Sequence, residues 1–146
     1  MSAIHHTAIV TSDLERSRRF WCDGVGLTEL MDHSFRGDWP TLFGAGSDEL
    51  RSVFLGDPAA PEAGLLELVV FADAGMSPPP VDGPRHGFFL VSLQRNVDAT
   101  LATLAGLGFA DGVRRIAMPG PGGASVAMAV LRAPDGVLVE LIGEPA

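Results

Sequence analysis

The chain has no lysine, no tyrosine and one cysteine, and each scarcity removes a class of chemistry. Without lysine there can be no Schiff base and no phosphate-loop ammonium, and without tyrosine no phenolic general acid. Catalysis is left to His, Asp, Glu, Ser, Thr, Cys and Arg. The lone Cys22 cannot close an internal disulfide, which agrees with a reducing compartment. It lies beside Phe20 and Trp21 and reads as a packed thiol. No apolar run approaches the roughly 20 residues of a membrane span, and no basic segment followed by an apolar stretch marks the N-terminus as a signal peptide. The expectation is a soluble, cytoplasmic protein with no membrane partner. Basic residues are few, with 10 Arg against 18 Asp plus Glu and a net charge of −8, so a nucleic-acid partner is not expected.

At 146 residues, 47% hydrophobic and 19% charged, the composition is that of one globular domain with a sizeable core. Ile4 to Thr11 reads as a strand, Ser12-Asp13 as a helix N-cap, and Leu14 to Trp21 as a helix closed by Gly24 and Gly26. Leu27 to Met31 begins a second strand, and further strands are expected at Pro40 to Gly44, Glu49 to Leu55 and Leu65 to Phe71. The Gly- and Pro-rich stretch 73–85 is the one good linker. Beyond it a strand is expected at His86 to Val91, a helix at Val97 to Ala105, and strands at Arg114 to Met118, Ser125 to Arg132 and Val137 to Ile142. Pro134-Asp135-Gly136 makes the last turn.

The halves on either side of the linker register with each other. His6 opens one and His86 the other; Gly26-Leu27 and Gly106-Leu107 follow each at the same interval; Leu66-Glu67-Leu68 and Val139-Glu140-Leu141 close them. Strand parity puts His6 on a face with Ala8 and Val10, Glu67 with Leu65 and Val69, and Glu140 with Leu138 and Ile142. Carboxylates among apolar neighbours are costly unless paired or bound to a cation. Taken singly, each of these residues could equally be an ordinary solvated side chain. Together, at matching places in a repeat, they are accounted for by one divalent ion, such as zinc, nickel, cobalt, manganese or iron, bound by His6, Glu67, His86 and Glu140. By the same parity His5 points to the face opposite His6, and His33 beside Asp32 reads as a solvated turn or edge residue.

Four segments carry a resemblance that covers nearly the whole chain: His-Thr-Ala-Ile-Val-Thr-Ser-Asp-Leu-Glu-Arg-Ser from His6, Leu-Glu-Leu around Glu67, Gly-Pro-Arg-His-Gly-Phe-Phe-Leu-Val around His86, and Asp-Gly-Val-Leu-Val-Glu-Leu-Ile around Glu140. The chain resembles the vicinal-oxygen-chelate superfamily, which includes glyoxalase I, methylmalonyl-CoA epimerase, extradiol dioxygenases and antibiotic-resistance proteins. The resemblance implies an α+β fold of two βαβββ modules, about 1–72 and 86–146, forming an open, cup-shaped mixed β-sheet within a single domain. It also implies one ligand on the first and last strand of each module, and a homodimer.

The His-Glu-His-Glu order is similar to the glyoxalase and epimerase branches, which implies a lyase or isomerase acting through an enediolate at a carbonyl-adjacent carbon, with Glu67 or Glu140 as base. The same fold also implies two alternatives: a non-catalytic protein that binds an antibiotic or natural product, and an extradiol-type dioxygenase, which missing tyrosine disfavours. For a small-molecule substrate, Arg36, Arg51, Arg85 and Arg114 are candidate cationic handles, with Arg51 best placed. Phe54, Phe88 and Met128, with Trp39 and Phe43, are candidate pocket walls.

Overall fold

A computed structural model describes residues 3–72, 84 and 87–144. The chain divides into two compact units, Met1–Pro78 and Pro79–Ala146. Apart from Pro84, the expected linker 73–85 lies outside the described residues.

In the first unit, strand β1 (His6–Val10) leads into helix α1 (Leu14–Arg18), which continues as a π-helical turn over Arg19–Gly24. Asp13 caps α1 as its side chain accepts from the Arg16 amide at 3.0 Å, which satisfies one of the orphan donors of the first turn. Strand β2 (Thr28–Arg36), helix α2 (Trp39–Phe43), strand β3 (Glu49–Gly56) and strand β4 (Leu65–Phe71) follow. The sheet order is β1-β4-β3-β2, with β1 parallel to β4 and the other pairs antiparallel.

The second unit repeats this plan. Strand β5 (Val91–Gln94), helix α3 (Val97–Gly106), β6 (Arg114–Pro119), β7 (Ser125–Arg132) and β8 (Leu138–Ile142) give the order β5-β8-β7-β6, again with only the first-to-last pair parallel. The architecture is therefore α+β, two four-stranded mixed sheets of identical connectivity, as the βαβββ repeat implied. Among the described residues no helix is long and apolar enough to cross a membrane.

Two local expectations are corrected. Residues 40–44, apolar enough to read as a strand, lie in α2 and its cap. The Asp38 side chain accepts from the Thr41 amide, Pro40 sits in the first turn where its missing N–H costs nothing, and Gly44 at φ 68° ends the helix in the left-handed region. Strand β2, which begins in the expected stretch, runs from Thr28 to Arg36 paired with β3. The strand expected from His86 begins instead at Val91, and His86 itself lies outside the described residues.

Each sheet has one face covered by its unit's helix, the closed face, and one that is not, the open face, although Leu50, Ser52, Leu65 and Val69 on the open face of the first sheet are buried too. Alternate residues of β8 show it directly: Val139 and Leu141 are fully buried, while Leu138, Glu140 and Ile142 are only partly covered. The closed face of the first sheet carries Ile9, Val53, Leu55, Leu66 and Leu68, with α1 packed over β4 and Phe20 and Trp21 buried beyond it. In the second unit Ala129, Leu131, Val139 and Leu141 form the closed face, α3 lies against β7, and Val97 and Leu104 are buried. Each large side chain so buried contributes about 1.5–3 kcal/mol, so the helix-covered face supplies much of the stability of each unit by itself.

Candidate functional site

Register assembles the site in the first unit. The parallel pair places Ala8 opposite Glu67, so His6, two residues earlier on β1, shares the open face with Glu67. The antiparallel pair places Phe54 opposite Glu67 and Ser52 opposite Val69, which brings both β3 residues to that same face. The His6 Nε2 lies 3.6 Å from Glu67 Oε1, with the imidazole about one-third exposed and the carboxylate 15% exposed. Ser52, 1% exposed, donates its hydroxyl to Glu67 Oε2 at 2.5 Å. The Phe54 ring meets His6 edge-on with centroids 5.2 Å apart. One carboxylate oxygen is thus held from β3, and the other is turned toward the imidazole on β1.

Sequence parity set His5 apart from this face, and the structure corrects that. The strand starts at His6, so His5 precedes it and is not bound by strand alternation. Its Nδ1 lies 2.8 Å from the Nδ1 of His6, and its ring packs edge-on against Phe54 at 6.2 Å. The Nδ1 side of His6 therefore has a partner, and Nε2 is directed at Glu67.

In the second unit Glu140 on β8 lies between Ser92 of β5 and Val130 of β7. The Ser92 hydroxyl donates to Glu140 Oε1 at 2.9 Å. Ser92 thus occupies the register position that Ala8 holds in the first unit, and two residues back, where the first unit has His6, stands Leu90. The repeat drawn from sequence matched His6 with His86. Helix α1 follows His6 more closely than α3 follows His86, so equal intervals counted to the glycines do not mean equal strand register.

The remaining candidates separate. Arg51 points to the closed-face side of β3, where its guanidinium makes two hydrogen bonds to Asp32, at 2.9 and 2.7 Å, and Arg18 joins them at 2.6 Å. Hydrogen bonding from Arg51, then from Arg18, holds the Asp32 carboxyl well below the usual carboxylate range. Arg51 is committed to this cluster and does not share the face of Glu67. Arg36 pairs with Glu49 at 2.8 Å, Arg114 shares the open face with Glu140 through Val130, and Arg85 lies outside the described residues. Phe54 is at the site; Met128 lies on the Glu140 face, paired with Ile142; Phe88 is 67% exposed and precedes β5. Trp39 and Phe43 stack on α2 at 5.6 Å, and Phe43 meets Phe71 at 6.4 Å. Burial pushes the Cys22 thiol up, the opposite of a reactive thiolate.

Among the described residues no three or more His, Cys, Asp or Glu side chains gather as a metal-holding group. What the first unit offers is a pair, and the pair suits a borderline divalent ion. An imidazole nitrogen and a carboxylate oxygen 3.6 Å apart need little movement to lie cis on one ion, since each bond would be roughly 2.0–2.2 Å. The second nitrogen of His6 and the second oxygen of Glu67 are already held by His5 and Ser52, the outer support that metal ligands require. The roles of Ser52 and His5 were missed in the sequence; the only trace of Ser52 was a small polar residue inside an apolar strand.

The family model for the Glyoxalase/Bleomycin resistance protein/Dioxygenase superfamily matches residues 3–141. A curated relative, the lactoylglutathione lyase-like protein terB of Aspergillus terreus, is 37% identical over 150 residues, covering 98% of this chain and 76% of its own. Among solved structures, a glyoxalase family protein from Bacillus cereus superposes with a TM-score of 0.73 at 19% identity, covering 100% of this chain and 96% of the other. Leishmania major glyoxalase I, described as trypanothione-dependent, gives 0.63 at 23% identity, covering 99% and 88%. These structural likenesses carry the fold.

Proposed function

Because the chain belongs to the Glyoxalase/Bleomycin resistance protein/Dioxygenase superfamily, we propose that it is a metal-dependent lyase or isomerase that moves a proton at a carbon next to a carbonyl, by way of an enediolate, in a small-molecule substrate. The observation that carries this reading is the convergence of His6 and Glu67 on the open face at 3.6 Å, each with its far atom held. The name of the 37%-identical relative points the same way.

In the first unit His6 and Glu67 would bind the ion; in the second, the candidates are Glu140, whose carboxylate Ser92 holds, and His86. A bound divalent ion supplies Lewis-acid stabilisation of a developing oxyanion. The protein's own part is to orient donors and exclude water. Ser52 fixes one oxygen of Glu67, Ser92 one of Glu140, and Phe54 walls His6 on its apolar side. Either glutamate would serve as the proton acceptor at its remaining oxygen.

Metal analysis of the purified protein, with deuterium exchange at the carbonyl-adjacent carbon of S-lactoylglutathione, tests the reading. Copurifying or restorable divalent metal, and exchange lost in Glu67→Gln, are expected. A second reading, non-catalytic binding of an apolar small molecule, draws on a leucine, Leu90, standing two residues before Ser92 as His6 stands two before Ala8, and on the aromatic content of the open face at Phe54 and Phe71. It prevails if no metal binds and Glu67→Gln leaves ligand binding unchanged.

A further inference from the structure

Ser52 sits in the middle of β3, with Val53 beside it fully buried, yet its own polar side chain is as inaccessible as the core leucines. A hydroxyl taken out of water at such a place costs stability unless it is hydrogen-bonded. The register leaves it opposite Val69 on one side and His33 on the other, and its hydrogen bond runs diagonally to Glu67 Oε2. An ionised carboxylate only accepts, so Ser52 is the donor. The last torsion of a glutamate side chain is broad and nearly two-fold, so without this bond the two oxygens exchange places readily. With it, Oε1 alone is presented to His6 Nε2.

We propose that Ser52 is a positioning residue for Glu67: it locks the carboxylate so that a single oxygen faces the open side of the sheet. The proposal rests on the reading that Glu67 is a metal ligand and goes beyond it by assigning what sets the ligand's geometry. Ser92 holds Glu140 similarly, but that bond is exposed, so water can replace it, whereas the Ser52 bond is covered. The two glutamates are therefore not equivalent, and Glu67 is the more rigidly held of the pair.

The experiment titrates metal-free protein with Co(II), reading affinity and the visible absorption of the bound ion. Ser52→Ala should weaken Co(II) binding by about 10–100-fold and alter the band shape, which reports coordination geometry rather than stability. Ser52→Thr, which keeps the hydroxyl on a residue suited to a strand, should recover most of the affinity, and Ser92→Ala should weaken it by a smaller factor. Wild-type affinity and an unchanged spectrum in Ser52→Ala would overturn the proposal. If the wild-type protein binds no Co(II), the metal reading fails by itself. The infrared carboxylate stretch of metal-free wild type against Ser52→Ala then decides about Ser52: a shifted band supports the lock, and identical bands refute it.

Discussion

Exchanging both members of the Ser52–Glu67 pair should reverse the sign of a mutation. In the wild-type background Ser52→Ala removes a hydrogen bond to a charged, mostly covered carboxylate, a loss of about 1.5–3 kcal/mol. Glu67→Leu places an apolar side chain among Leu65, Val69 and Phe54, a gain of about 2 kcal/mol from burial. It also strands the Ser52 hydroxyl, which is 1% exposed, without its acceptor. That penalty is about 1–3 kcal/mol, so the single Glu67→Leu variant should be close to wild type in stability. Adding Ser52→Ala to Glu67→Leu removes the stranded hydroxyl and should stabilise, making the double variant the most stable of the four. Both tryptophans, Trp21 and Trp39, lie in the first unit, so urea unfolding followed by their fluorescence reads the unit that contains the pair. EDTA in the buffer keeps metal binding from adding to stability. Equal destabilisation by Ser52→Ala in both backgrounds would refute the reasoning, because the two residues would then act independently. The expected pattern also carries a functional meaning: the most stable variant lacks the proposed ligand, so the carboxylate is kept at a cost to the fold.

Other perturbations reach different parts of the molecule. Leu90→His would put an imidazole two residues before Ser92, matching His6, and should tighten Co(II) binding, whereas unchanged affinity in calorimetric titration would count against the register argument. The Asp32 carboxyl is held low by Arg51 and Arg18, so its contribution is present above the ordinary carboxylate range, near pH 4, and is lost as pH falls toward its folded value. The stability gap between wild type and Asp32→Asn should therefore be flat near neutrality and close in acid, and it should shrink with salt because Arg51 and Asp32 are partly exposed. A gap that widened in acid would contradict that sign. In the second unit, Leu141→Ala empties a fully buried position on the closed face and should cost about 2–5 kcal/mol by circular dichroism of urea unfolding.

Local pattern was enough for much of the fold. The apolar runs Leu138 to Ile142 and Leu65 to Val69 announce strands, the Asp13 cap announces the helix after β1, and a Glu set among apolar residues near the end of each half marks Glu67 and Glu140 for attention. These properties depend on residues a few positions apart, so they can be read without knowing what lies across the sheet. The apolar content of 40–44 misled because the capping residues Asp38 and Gly44, rather than the apolar side chains between them, decide that it is helical.

Everything about who faces whom was settled by tertiary pairing. Ser52 meets Glu67 because β3 and β4 pair in one register; a slip of one residue would have turned either side chain to the helical face. Arg51, one residue from Ser52, is spent on Asp32 by the same rule. His5 joins His6 because the strand begins at His6, two residues later than expected, so parity does not bind His5, and β5 likewise begins only at Val91. Sequence thus determined the alternation, the repeat and the donor types. Register and strand limits decided which donors meet, since they depend on energies shared between segments far apart in the chain.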